Sequence, residues 1–199
     1  MIKFLVLITA LASFMGETHP LTFQLPTTSS PVYSLATVNE DGSTNHNIVT
    51  YLTRCSIDPP LFAISIYPKT LTGRNILQNK TCLLQFLGGI DTSGHEKLIE
   101  PLGKAHGDEA DKEKMCADLG CAFIAFSSVC SETHLEYSDF KVLPNCPAYV
   151  PLKVVEYIPI GSTASSDHDI AILSPVGPTV NLHDDVLTTS TLRQLNIIK

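Results

Sequence analysis

Short runs of apolar, β-branched and aromatic residues follow one another along most of the chain, and Pro, Gly, Asn and Asp cut them apart. Residues 32–38 predict a first strand. The Asp41-Gly42 pair that follows favours a tight hairpin, because both residues accept the backbone of such turns. Residues 47–56 and 61–67 predict the next two strands of an antiparallel meander. Between them stands Ser56-Ile57-Asp58-Pro59-Pro60, where two prolines, lacking N–H groups, must end one strand before the next begins. Residues 71–79 read as a short helix with a Thr cap, and 81–87 as a strand stopped by Gly88-Gly89. Over 93–119 charged residues interleave with Leu98, Ile99, Leu102, Met115 and Leu119, which predicts two short helices split at 103–107. Strands return at 122–130, 135–142, 148–160 and 168–173. Many short strands with turn signals between them favour a barrel over a parallel sheet, and no internal repeat is present.

Length and composition narrow the picture. A chain of 199 residues with 44% hydrophobic and 17% charged residues suits one globular domain with a sizeable core. The net charge of −7 argues against a broad basic surface for nucleic acid. Residues 1–16 have the form of a signal peptide: Lys3, an apolar run over 4–14, then Met15-Gly16. That run is too short to span a bilayer comfortably, and it points to the secretory pathway or organelle import; the alternative is a buried N-terminal element of a cytoplasmic protein. Residues 17–30 read as an extended lead-in. One sequon, Asn79-Lys80-Thr81, is present.

Six cysteines stand at 55, 82, 116, 121, 130 and 146. In an oxidising compartment they would supply three bridges, with the pairing open. Cys116 and Cys121 have no second close pair and no His at finger spacing, so no metal site is expected. Cys55, Cys82 and Cys130 lie in apolar runs and read as small buried thiols.

Two stretches carry candidate chemistry. Thr70-Leu71-Thr72-Gly73-Arg74-Asn75 is a hydroxyl-rich turn with a cation, suited to a phosphate. His168, between Asp167 and Asp169, is a titratable group that reads on its own as a turn histidine satisfied by a carboxylate. His46 and His106 are expected to face solvent.

Taken in order, the Asp41-Gly42 hairpin, the strand at 47–51, 56–60, Tyr67 with Thr70-Leu71-Thr72 and Asn75, and 84–87 form a recognisable series. It continues with Leu102-Gly103-Lys104, Gly107, Asp111-Lys112, Asp167-His168-Asp169 and the C-terminal 187–198. With these pieces the chain resembles the flavin reductase-like group of FMN-binding split β-barrels. The resemblance implies a mainly β fold over residues 31–199: a six-stranded, Greek-key-like split barrel with a short helical insertion at 93–119. It implies a homodimer that binds FMN, less readily FAD, in a groove near the subunit interface, with NAD(P)H as electron donor. Thr50, Tyr51, Thr53, Cys55 and Ser56 would face the flavin ring. Thr70, Thr72, Arg74 and Asn75 would hold the phosphate, and His168 would be the catalytic residue, standing near the flavin and nicotinamide. Three positions depart from the pattern: Ser166 and Asn196 where Gly is usual, and Pro68 where a cation is common. The competing functions are a non-catalytic flavin carrier and a secreted, disulfide-stapled β-domain for recognition.

Overall fold

The computed structural model describes residues 28–90, 93–130, 135–160, 167–177, 179–180 and 185–199. The expected signal peptide, most of the lead-in and Ser166 lie outside them. Among the described residues nine strands follow in chain order: β1 (Tyr33–Val38), β2 (Thr44–Val49), β3 (Leu52–Ser56), β4 (Leu61–Ile66), β5 (Thr81–Phe86), β6 (Ile124–Ala125), β7 (Lys141–Val142), β8 (Ala148–Ile158) and β9 (Asp169–Pro175). Seven of them form one antiparallel sheet in the order β2-β1-β5-β8-β9-β4-β3, and β6 and β7 form a separate ribbon.

The strand order explains the shape. β2 and β3 are the two edges of the large sheet, yet only Thr50 and Tyr51 separate them in sequence. So few residues reach from one edge to the other only if the sheet curls until its edges nearly meet. The result is a split barrel. The expected single strand at 47–56 is therefore two strands on opposite edges, which is why the sheet has seven strands rather than six. The Asp58–Pro59 peptide between β3 and β4 is cis.

Both faces of the central strands are buried, and period-two alternation sorts their side chains. Leu35, Ile64, Ile66, Leu84, Val150, Leu152, Ala171 and Leu173 fill the inside of the curl. Ala36, Leu83 and Tyr149 point to the outer face, where Leu98, Leu102, Phe126, Phe140, Leu187 and Leu192 cover them. Much of that cover comes from residues 121–146. The expected strands at 122–130 and 135–142 shrink there to β6 and β7, joined by short 3-10 turns at Phe126–Ser128 and Leu135–Tyr137; residues 131–134 lie outside the described set.

Among the described residues four helices complete the fold. α1 (Leu71–Asn79) begins where Thr70 Oγ1 accepts the Gly73 N–H at 3.1 Å. α2 (Ile99–Gly103) continues a 3-10 turn at His95–Leu98, and α3 (Lys112–Asp118) is capped by Asp111, which accepts the Lys114 N–H at 2.9 Å. α4 (Thr189–Gln194) closes the chain over the outer face, capped by Thr188. The helical insertion expected over 93–119 is thus present.

The cysteine and histidine expectations need correction. Cys82 is buried as expected, whereas Cys130 is half-buried and Cys55 is exposed. Cys55 falls at a register shift between Arg54 and Ser56 on an edge strand, so no layer covers it. His46, expected at the surface, is fully buried. Its Nε2–H donates to the Lys141 carbonyl at 3.1 Å, while Nδ1 lies 3.1 Å from both Ser34 Oγ and Gln85 Nε2. Burial pushes the imidazole down to about 3, which keeps it a neutral structural group.

Candidate functional site

The split in the barrel is a groove. One wall is β2 with the two crossing residues, Thr50 and Tyr51, and the other is β4 with the turn that leads into α1. Along β2 the alternation decides what faces it. Thr44, His46 and Ile48 belong to the outer face, and Asn45, Asn47 and Val49 line the groove or the inside of the curl. Two adjoining cavities result, about 190 and 380 Å³, which share Asn47, Tyr67, Thr70 and Thr72.

The smaller cavity has aliphatic walls from Leu35, Val49, Ile64 and Ile66 and a mouth of rings. Tyr51 is 73% exposed, and Tyr67 and His168 lie with ring centroids 5.7 Å apart, tilted by 31°. Asp167 Oδ1 accepts from His168 Nδ1 at 2.7 Å, and this bond holds the Asp167 carboxyl below its ordinary range. His168 is therefore both a histidine satisfied by a carboxylate and a lining residue of the groove.

The larger cavity is cationic and polar. Lys69, Lys104, His106 and Lys112 line it with Thr70, Thr72, Asn45 and Asn47. Beneath it the polar side chains are already bonded to one another. Asn45 Nδ2 donates to Thr72 Oγ1 at 2.9 Å, and Asn75 Nδ2 donates to Thr37 Oγ1 at 3.1 Å and to Asn39 Oδ1 at 2.8 Å. Lys112 is buried; its Nζ donates to the carbonyls of His46 at 2.7 Å and Leu102 at 2.9 Å. Loss of hydration pulls that ammonium down to about 8. The turn and helix sit close together at this end: a Cβ on Gly73 would stand 2.5 Å from the Tyr67 carbonyl oxygen.

The expected site residues are distributed unevenly. Thr50, Tyr51, Thr70, Thr72 and His168 all line the groove. Thr53 lines a neighbouring surface hollow with Leu52, Ala63 and Ile170. Cys55 and Ser56 lie further along β3 toward the Asp58–Pro59 turn, and the Ser56 carbonyl accepts from Arg54 Nε at 3.1 Å. Arg74 is half-exposed, pairs with Asp108 and donates to the Lys69 carbonyl at 2.8 Å. Asn75 is buried in the network under the groove. Asn45, Asn47 and Lys112 were not foreseen as site residues; the two asparagines could have been found from their period-two spacing opposite Thr44 and His46.

Residues 25–189 match the flavin reductase like domain. The chain belongs to the flavin reductase-like family. Membership makes it a flavin-binding chain of oxidoreductase kind. No curated protein matches it. Among solved structures it is similar to an FMN-binding protein from Thermus thermophilus with bound p-hydroxybenzaldehyde: 22% identity, 80% of this chain and 77% of that one, TM-score 0.59. It is also similar to flavoredoxin of Desulfovibrio vulgaris (17%, 84% and 77%, TM-score 0.60) and to nitrilotriacetate monooxygenase component B from Mycobacterium thermoresistibile (15%, 75% and 68%, TM-score 0.55). These likenesses concern the fold. Among the described residues no helix is long and apolar enough to cross a membrane.

Proposed function

We propose that the protein is an FMN-dependent oxidoreductase that takes hydride from NADH or NADPH. The observation that carries this reading is the two-part groove, aliphatic and ring-lined at one end, cationic and hydroxyl-rich at the other. A flavin mononucleotide has the same division, with a flat heteroaromatic ring at one end and a phosphate dianion at the other.

The residues present fit such a ligand. Thr72 offers a hydroxyl proton, Asn47 an amide, and Lys112 an N–H beyond the two given to carbonyls, while the Thr70 hydroxyl donates to the Tyr67 carbonyl at 2.8 Å. The one carboxylate lining that cavity, Asp108, is engaged by Arg74. Val49, Ile64 and Ile66 would seat the ring, and Thr50 and Tyr51 would border it. Bound there, a flavin would supply the two-electron, hydride-transfer chemistry. The protein's part is alignment and electrostatics. His168, oriented by Asp167 and packed near Tyr67, would meet a nicotinamide carboxamide or the negative charge of the reduced ring. A second copy seated on the exposed β3 edge beside Tyr51 and the hollow at Thr53 would complete the open side of the groove as a homodimer.

Titration of purified protein with FMN, followed by quenching of flavin fluorescence, tests the site. Saturable 1:1 quenching is expected, and its absence sinks the proposal. Oxidation of NADH or NADPH by the FMN-loaded protein tests the reaction; bound flavin without oxidation makes the protein a carrier. Light scattering on the eluting protein reads the dimer.

A further inference from the structure

The last turn of α3 closes with two nested backbone hydrogen bonds. Gly120 N–H donates to the Ala117 carbonyl at 2.8 Å, and Cys121 N–H donates to the Cys116 carbonyl at 2.9 Å. Gly120 takes the left-handed backbone, φ 77°, that such an ending uses. In this ending the residue after the left-handed position folds back on the final turn, and its side chain packs against the residue whose carbonyl it bonds. Here those two residues are Cys116 and Cys121, and both are buried. With the 2.9 Å hydrogen bond and standard backbone dimensions, their α-carbons are no more than roughly 6.8 Å apart. Cystine bridges span ~4.4–6.8 Å between α-carbons.

The geometry points to Cys116 and Cys121 as a cystine-forming pair, bridged by exchange with a small-molecule disulfide such as glutathione disulfide. One thiolate attacks that disulfide, forming a mixed disulfide and releasing one glutathione thiolate. The second cysteine sulfur displaces the other glutathione. The two cysteines are oxidised by two electrons, glutathione disulfide is reduced by two, and both thiol protons end on glutathione. Burial pushes the Cys116 thiol up to about 12 and raises Cys121, so thiolate is scarce in the folded protein. The exchange therefore belongs to folding, before Phe123 and Leu98 cover the pair. The closed bridge would fasten the end of α3 opposite Lys112. Cys146 is the competing partner: it is buried, and its backbone N–H donates to the Tyr149 hydroxyl at 3.1 Å.

Peptide mapping of the full chain decides the matter. The reduced, denatured protein is folded in a buffer of glutathione and glutathione disulfide, labelled with iodoacetamide and cut with trypsin without reduction. Cleavage after Lys114, Lys141 and Lys153 puts Cys116, Cys121 and Cys130 in peptide 115–141 and Cys146 in peptide 142–153. The expected product is peptide 115–141 two hydrogens lighter than its dithiol, with one label, on Cys130, and no backbone fragments from between 116 and 121. The same product is expected from Cys130→Ser, without the label, and from Cys146→Ser. Three labels on peptide 115–141, a label on Cys116 or Cys121, or a cross-link between the two peptides overturns the inference.

Discussion

The two ends of the groove are built differently. At the cationic end, beneath the exposed Lys69, Lys104 and His106, a layer of buried side chains is committed before any ligand arrives: Thr72 to Asn45, Asn75 to Thr37 and Asn39, Lys112 to two carbonyls. At the ring-lined end Tyr51, Tyr67 and His168 stand at a partly open mouth. A prepaid network fixes where an anion sits, because little side-chain freedom remains to be lost on binding. An open mouth admits a second substrate. Binding strength should therefore belong to one end and reaction to the other.

The largest expected effect tests the first half of that division. Lys112→Met removes the buried ammonium and should weaken FMN binding by ~30-fold, about 2 kcal/mol for a charged hydrogen bond. Fluorescence titration reads it, and a change under ~3-fold would place the phosphate elsewhere.

A pH series sharpens the same point. Lys112 gives up its proton near 8 in the folded protein instead of at its ordinary 10.5. Anion binding favours the charged form, so FMN affinity should fall as pH rises through about 8, by ~10-fold toward pH 9.5; the ligand's phosphate, already a dianion there, adds no slope. Stability of the unliganded protein should move the other way. Between about 8 and 10.5 the unfolded chain holds more protons than the folded one, so unfolding free energy rises with pH. Lys112→Met should flatten both profiles.

At the open end His168→Ala is expected to slow NAD(P)H oxidation by ~10-fold while leaving FMN affinity within ~2-fold. A parallel loss of both would erase the division between the ends. The smallest effect should come from Asp108→Asn. The Arg74–Asp108 pair is half-exposed, and an ion pair of that kind contributes about 0.5 kcal/mol, a shift of a degree or two in Tm.

What the sequence revealed follows the range of the interactions involved. Thr70 and Thr72 were legible because a cap and the turn before it are local, and Thr50 and Tyr51 because they flank a strand end. Arg74 and Asn75 were read as one phosphate-binding unit with them, but successive positions on a helix face different ways. Thr72 and Asn75, three apart, share the buried face, and Arg74 takes the solvent side. Lys112 was invisible as a site residue, since its role depends on carbonyls from β2 and α2 that only the tertiary fold brings to it. His46 misled for a related reason. Its strand position says it alternates with Asn45 and Asn47, but not that 122–130 and 135–142, read as strands, are mostly turns on that side of the sheet, with the Phe123 ring centroid 4.2 Å from its own.

The crossing at Thr50 and Tyr51 has a consequence for how the protein is made. The groove's two walls, β2-β1-β5 and β4-β3, are complete by residue 86, yet the large sheet joins them only through β8 and β9 at 148–175. A nascent chain therefore holds both sheet walls of the groove, though not yet Lys104, Lys112 or His168, before β8 and β9 join those walls across the sheet. A flavin-sized ligand thus has its gap fixed only when a hairpin from the far end of the chain slides into place as the keystone, which makes ligand capture a late event in biogenesis.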